Sequence, residues 1–105
     1  MTENQYQARL IKKLEKRFPG CMIMKTDTSY QQGMLDLVIL WHKCWASLEV
    51  KTERSARTQP NQDYFVKRLG EMSFAAYIYP ENEEEVLNAL QQAFESPRGA
   101  CVSES

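Results

Sequence analysis

The sequence lacks long apolar runs and has few cysteines. No apolar stretch approaches the ~20 residues that a membrane-spanning helix needs, and the N-terminal segment MTENQYQARLIKK has no apolar signal-peptide core. The three cysteines, Cys21, Cys44 and Cys101, are odd in number and have no C-x-x-C spacing, which predicts neither a disulfide framework nor a zinc site. These absences predict a cytoplasmic protein with no membrane partner.

Length and charge set further limits. The 105 residues suffice for one domain, and a 43% hydrophobic content argues against disorder. We expect a single domain over 1–95 and a flexible tail over 96–105. The net charge of −1 hides an asymmetry, because residues 1–79 carry twelve lysines and arginines against eight acids, whereas 80–105 carry one arginine against six acids.

The first segment predicts a helix over 4–17 that ends at Pro19-Gly20, with Thr2 as its N-cap. Its apolar positions recur every four residues (Tyr6, Leu10, Leu14, Phe18). The other face carries a basic stripe, which consists of Arg9, Lys12, Lys13, Lys16 and Arg17. The stripe is either a solvated helix face or a surface for phosphates.

The remaining pattern predicts strands at 21–27, 35–41, 44–51 and 73–80, and helices at 61–70 and 82–95. The helix at 61–70 is expected to bury Tyr64, Phe65 and Leu69. The order α-β-β-β-α-β-α indicates an α/β fold with a mixed sheet. The third strand, the helix after it and the fourth strand form a crossover, which should be parallel and right-handed.

Two carboxylates and a lysine interrupt the two central strands, in the stretch GMLDLVILWHKCWASLEVKTE (33–53). A tight turn centred near 42–43 pairs these strands antiparallel and brings Asp36 opposite Glu49. Close carboxylates in an apolar setting repel each other unless something neutralises them, and oxygen ligands suit Mg²⁺ or Mn²⁺. Lys51, two residues after Glu49, shares its face and is suited to stabilise negative charge on a phosphate.

A plainer interpretation stays open. Asp36 caps a turn in that alternative, and Glu49 and Lys51 form a surface ion pair on an edge strand. An E-x-K triplet by itself is common. The combination with Gly33, the apolar strand, the turn and this order of elements is more specific.

The pattern G-x-x-D-L-V … L-E-V-K … Q … L-G-E-M, over roughly residues 3–90, resembles the PD-(D/E)XK nuclease superfamily. It is similar to the small VRR-NUC proteins that are common in phages and related to Holliday-junction resolvases. The resemblance implies a restriction-endonuclease-like α-β-β-β-α-β core with an additional C-terminal helix. The sequence departs from the family pattern at Leu35, where a proline is expected.

The resemblance also implies roles for single residues. Asp36 and Glu49 would be metal ligands, together with the Val50 carbonyl, and Lys51 would be the catalytic lysine. Gln62 matches a family glutamine near the active site, with an ordinary polar residue at a helix start as the alternative. Glu3 matches an acid that can complete the metal shell, although an ordinary first-turn acid is an equal alternative.

These observations predict a Mg²⁺- or Mn²⁺-dependent DNA endonuclease of a phage or bacterial host cytoplasm, selective for DNA structure such as branches or junctions. Cutting two strands requires two sites, so a homodimer is expected. DNA phosphates would meet basic side chains outside the metal site. These are the basic stripe, Arg54, Arg57, Lys67, Arg68 and Lys25; for Lys25 an ordinary strand lysine is the alternative.

Two other classes compete with the nuclease. One is a non-catalytic nucleic-acid-binding or regulatory module that keeps the nuclease fold. The other is a structural α/β dimer, which would show no salt-dependent affinity for DNA.

Overall fold

The computed structural model describes residues 1–26, 35–53 and 61–95. Within them the elements follow the predicted order and form an α/β fold. They are α1 (Glu3–Arg17), β1 (Met22–Lys25), β2 (Leu37–Trp41), β3 (Cys44–Val50), α2 (Gln62–Met72), β4 (Phe74–Ile78) and α3 (Glu83–Glu95). The predicted tail over 96–105, Gly33, Arg54 and Arg57 lie outside the described residues. No helix in the described stretches is long and apolar enough to cross a membrane.

The four strands form one mixed sheet in the order β1-β2-β3-β4. β1 and β3 are both antiparallel to β2, whereas β3 and β4 are parallel. The predicted parallel crossover from β3 through α2 to β4 is therefore confirmed. β2 and β3 are joined by a two-residue turn, in which His42 takes a left-handed conformation with φ 56°.

One face of the sheet carries the hydrophobic core. Leu37 and Ile39 of β2 and Leu48 and Val50 of β3 are fully buried there. They belong to one cluster with apolar residues of α1 and α3 and with Phe18, which directly follows α1. The helical members are Tyr6, Leu10, Leu14, Val86, Leu87, Leu90 and Phe94. The predicted apolar positions of α1 are thus confirmed. Because side chains alternate along a strand, Glu49 and Lys51 lie on the other face.

Helix α1 begins at the predicted cap. The Thr2 side chain accepts a hydrogen bond from the Gln5 N–H, and the Gln5 side chain accepts one from the Thr2 N–H. This reciprocal capping box satisfies two backbone donors that the helix leaves without intrahelical partners. It fixes the position of the first turn, which contains Glu3.

Helix α2 covers β4 and β3 from the face that carries Glu49, and its buried side differs from the prediction. Tyr64 is 59% exposed, Phe65 and Leu69 are only partly buried, and Gln62 is the buried residue of the helix. Each helical residue advances about 100° around the axis, so Tyr64 points roughly 200° away from Gln62. Because the polar Gln62 faces the sheet, Tyr64 faces solvent.

The cysteines also differ from the prediction in one respect. Cys44 is disulfide-bonded, whereas Cys21 is a free, half-buried thiol. The sequence predicted no disulfide framework, and the disulfide-bonded Cys44 departs from that prediction. An odd cysteine count without a motif cannot reveal a single pairing that depends on the tertiary fold.

Candidate active site

The two predicted carboxylates lie side by side at one end of the β2–β3 hairpin. Leu37 pairs with Leu48, and continuing that register by one position places Asp36 opposite Glu49. Asp36 Oδ2 accepts a hydrogen bond of 2.9 Å from the Val50 N–H, and Glu49 Oε1 accepts one of 3.2 Å from the Asp36 N–H. Each carboxylate thus accepts a hydrogen bond from the backbone of the opposite strand. The pairing of Asp36 with Glu49 is the one predicted from the two-residue turn.

Two further side chains close around Glu49. The Gln62 Nε2 donates a hydrogen bond of 2.5 Å to Glu49 Oε2, and Gln62 Oε1 accepts one of 2.9 Å from Lys51 Nζ. Lys51 Nζ also lies 3.4 Å from Glu49 Oε2 as an ion pair. We call these four residues, Asp36, Glu49, Lys51 and Gln62, the polar cluster.

The polar cluster is withdrawn from solvent. Glu49 is 2%, Gln62 5% and Lys51 8% exposed, and Asp36 is half-buried. A surface ion pair on an edge strand, the plainer alternative from the sequence, therefore does not describe it. Buried charges are costly unless they are paired and hydrogen-bonded, and here a lysine and an amide supply the partners.

Burial and mutual repulsion disturb the ionisation of both carboxyls. The pKa of Glu49 is raised to about 7, first by burial and then by the negative charge of Asp36, although Lys51 acts to lower it. Burial also raises the pKa of Asp36, against the opposing effects of the Val50 N–H and Lys51. The pair is thus poised to hold either a proton or a cation near neutral pH.

Glu3 stands at the margin of this arrangement. It is an exposed residue in the first turn of α1, and its pKa is raised by partial burial and by Asp36, while Lys51 lowers it. The site therefore acts electrostatically on the Glu3 carboxyl. However, the described part of the chain contains no group of three or more histidine, cysteine, aspartate or glutamate side chains arranged to hold a metal ion.

The donor set suits one kind of ion best. Ca²⁺ takes six to eight oxygen ligands, whereas Mg²⁺ commonly keeps several waters and binds through one or two carboxylates. The polar cluster offers two adjacent carboxylates. Asp36 Oδ2 and Glu49 Oε1 each accept one backbone hydrogen bond and keep a second lone pair, whereas Glu49 Oε2 already faces both Gln62 Nε2 and Lys51 Nζ. The residues present therefore fit Mg²⁺ or Mn²⁺ held through Asp36 and Glu49, with Lys51 close by.

Within the described part of the chain, the basic stripe consists of residues that contact α3 and residues that are exposed without such a contact. Lys13 Nζ forms an ion pair of 2.5 Å with Glu83 of α3. Arg17 lies against the same helix, where its Nε donates a 2.8 Å hydrogen bond to the Gln91 side chain. Lys12 and Lys16 are exposed, as is Arg9, whose guanidinium contacts the Met1 sulfur. Part of the stripe is therefore engaged with α3, although the Lys13 side chain remains about half exposed to solvent.

The other basic candidates are scattered. Lys67 and Arg68 are exposed on α2, and Arg68 pairs with Glu71 at 3.3 Å. Lys25 is exposed at the end of β1, opposite Leu37. Because cross-strand neighbours share a face, Lys25 lies on the Leu37 side of the sheet, away from the polar cluster.

Two residues beside the cluster were not found from the sequence. Tyr77 of β4 is the register partner of Glu49, and its hydroxyl donates a hydrogen bond to the side chain of Asp63, which follows Gln62 on α2. The pKa of the Tyr77 hydroxyl is raised by burial and by Asp63, so it stays protonated. No tight turn sets the register of β3 against β4, so the sequence carried no signal for this contact.

Comparisons of the chain with protein-family models, with curated proteins and with solved structures find no match in any of the three.

Proposed function

We propose that this protein is a divalent-metal-dependent deoxyribonuclease with a restriction-endonuclease-like core, of the VRR-NUC type. One observation carries the proposal. A buried glutamate, a half-buried aspartate, a lysine and a glutamine from separate elements meet at one end of the β2–β3 hairpin. Such a cluster is expensive to bury, and a fold of this size gains nothing in core packing from it.

Each residue of the cluster has a role in phosphodiester hydrolysis. A bound Mg²⁺ or Mn²⁺ supplies Lewis-acid polarisation of the phosphate and activates water. Asp36 and Glu49 would hold the ion, with the Val50 carbonyl as a proposed further ligand and Glu3 as an outer carboxylate. The Lys51 ammonium stabilises the negative charge that develops on phosphate oxygens. Gln62 bridges Lys51 and Glu49 and keeps both side chains in place.

The substrate is DNA, held mainly through its phosphates. Exposed cations lie on α1 (Lys12, Lys16) and on α2 (Lys67), and phosphate contacts position a protein without reading sequence. We therefore propose selectivity for DNA structure, such as branches or junctions. A homodimer that acts in the cytoplasm completes the proposal, because two opposed strands require two active sites; sizing by light scattering tests the dimer.

The second candidate is a non-catalytic DNA-binding module with the same fold. It is favoured by the finding that the described residues contain no three-ligand group and that Asp36 and Glu49 already bind backbone N–H groups. In this candidate the polar cluster only stabilises the end of the hairpin. It predicts binding to DNA without cleavage in any metal.

The test is cleavage of linear duplex, single-stranded, flap and four-way DNA with Mg²⁺, with Mn²⁺ and with EDTA. We expect metal-dependent cleavage that Asp36→Asn reduces by more than about 100-fold, because even residues that only support metal ligands commonly cost 10- to 100-fold. Binding of the same DNA should persist in the variant. The matched control is Glu15→Gln, which removes an exposed acid of α1 and should leave cleavage unchanged.

The two candidates separate cleanly in this assay. Cleavage by the wild type that survives Asp36→Asn would point to a contaminating nuclease. DNA binding without cleavage in either metal supports the non-catalytic module and rejects the enzyme. No binding and no cleavage reject both.

A further inference from the structure

Helix α2 begins without a side-chain cap from Asn61. Asn61, at the cap position, is left-handed with φ 72°, and its side chain makes no capping hydrogen bond. A helix start leaves four backbone N–H groups without intrahelical partners, and a missing side-chain cap commonly costs about 1 kcal/mol. Yet this first turn carries Gln62, which contacts both Glu49 and Lys51. Among the residues that the structure describes, this turn is held by side-chain contacts with the sheet and not by a cap from Asn61.

The first two residues of the helix are attached to two neighbouring strands. Gln62 binds Glu49 of β3, and Asp63 accepts a hydrogen bond from Tyr77 of β4. Glu49 and Tyr77 are themselves register partners on the parallel strands, so both side chains rise from the same face of the sheet. The four residues therefore form a closed arrangement with two adjacent residues on the helix and two on the sheet.

Such an arrangement fixes the rotation of the first turn. A single contact through Gln62 would allow the helix start to pivot about that side chain. The second contact, about 100° further around the helix, removes that freedom. The Asp63 carboxylate also suits the first turn, because the helix dipole favours negative charge there.

We propose that Tyr77 and Asp63 are a positioning pair, which holds the first turn of α2 so that Gln62 orients Glu49 and Lys51 for catalysis. The inference rests on the proposed nuclease function for its catalytic part only. Neither residue is a catalytic residue in this proposal, because both act through Gln62. In this proposal the positioning effect comes from the hydroxyl of Tyr77 and not from its ring.

The experiment compares Tyr77→Phe with the matched control Tyr64→Phe. Both remove one hydroxyl, and Tyr64 follows Asp63 on α2 but is 59% exposed. The first readout is the NMR signal of the Gln62 side-chain amide in the full chain without metal. The second is steady-state cleavage of DNA with Mn²⁺, split into kcat and KM.

Tyr77→Phe should shift the Gln62 amide signals and lower kcat by about three- to tenfold, the equivalent of one lost hydrogen bond, with KM for DNA unchanged. Tyr64→Phe should change neither. Asp63→Ala should reproduce the effect, and Asp63→Asn, which keeps an acceptor oxygen, should rescue most of it. The double variant Tyr77→Phe/Asp63→Ala should be no worse than either single change.

The outcomes that overturn the pairing are distinct from failure of the nuclease proposal. If the Gln62 amide signals of Tyr77→Phe match the wild type, or if the two losses add in the double variant, the positioning role is wrong. If the wild type cleaves no DNA in any metal, the nuclease proposal fails. The Gln62 amide signals then decide alone whether Tyr77 and Asp63 position the cluster.

Discussion

The protein should lose stability as the pH rises towards neutrality, and Glu49 should be the main cause. Its pKa is raised from 4.5 to about 7, chiefly by burial, so the folded chain binds this proton more tightly than the unfolded chain does. The free energy of unfolding therefore falls between pH 4.5 and about 7 and levels off above. Since a tenfold change in a dissociation constant is worth about 1.4 kcal/mol, a pKa rise of roughly 2.5 limits the fall to no more than about 4 kcal/mol.

The assay is urea unfolding in EDTA at several pH values between 4.5 and 8. Glu49→Gln keeps the shape of the side chain but cannot ionise, so the decline approaching pH 7 should largely disappear. The Asp36 pKa is also raised, which leaves a smaller decline in the same direction. Glu15→Gln, at an exposed position of α1, should retain the wild-type profile. Equal pH dependence in the wild type and Glu49→Gln would show that burial of this carboxyl has been misjudged.

Three further predictions concern Lys51, the basic stripe and the cap of α1. Lys51→Met should raise the pKa of the neighbouring carboxyls, which carboxyl NMR can measure. It should also abolish cleavage, while calorimetry still detects Mn²⁺ binding. Unchanged cleavage would remove the lysine from the mechanism. The double variant Lys12→Gln/Lys16→Gln should weaken DNA binding and reduce the dependence of the affinity on salt concentration. Lys13→Gln should weaken binding less, because Lys13 is paired with Glu83 of α3. A larger loss of affinity in Lys13→Gln than in the double variant would place DNA elsewhere. Thr2→Ala should cost about 1 kcal/mol of stability in urea unfolding, and a wild-type midpoint would mean that the capping box is dispensable.

The central hairpin could be predicted from the sequence because its register is a local property. A two-residue turn at 42–43 leaves little freedom in how β2 and β3 align, so the meeting of Asp36 with Glu49 follows from counting outwards. Lys51 follows from strand alternation alone. These residues required no knowledge of how the helices pack.

The parts that sequence reasoning missed depend on packing between distant elements. Periodicity identified the basic stripe on α1 but could not reveal that α3 supplies Glu83 as a partner for Lys13. The same limit explains why Tyr64 was wrongly predicted to be buried. When a short helix has apolar residues on two sides, its sequence does not show which side faces the sheet. The Tyr77–Asp63 contact joins β4 to α2 and depends on a parallel register that no turn specifies.

The turn at His42 has a consequence for how this hairpin can vary. Adding one residue there would shift the pairing by a single position, and the carboxylate of β3 would no longer stand beside that of β2 unless a bulge absorbed the extra residue. Adding two residues as a longer loop would leave the alignment intact. Loop length at one end of the hairpin therefore constrains the chemistry at the other, although no atom of the turn belongs to the polar cluster.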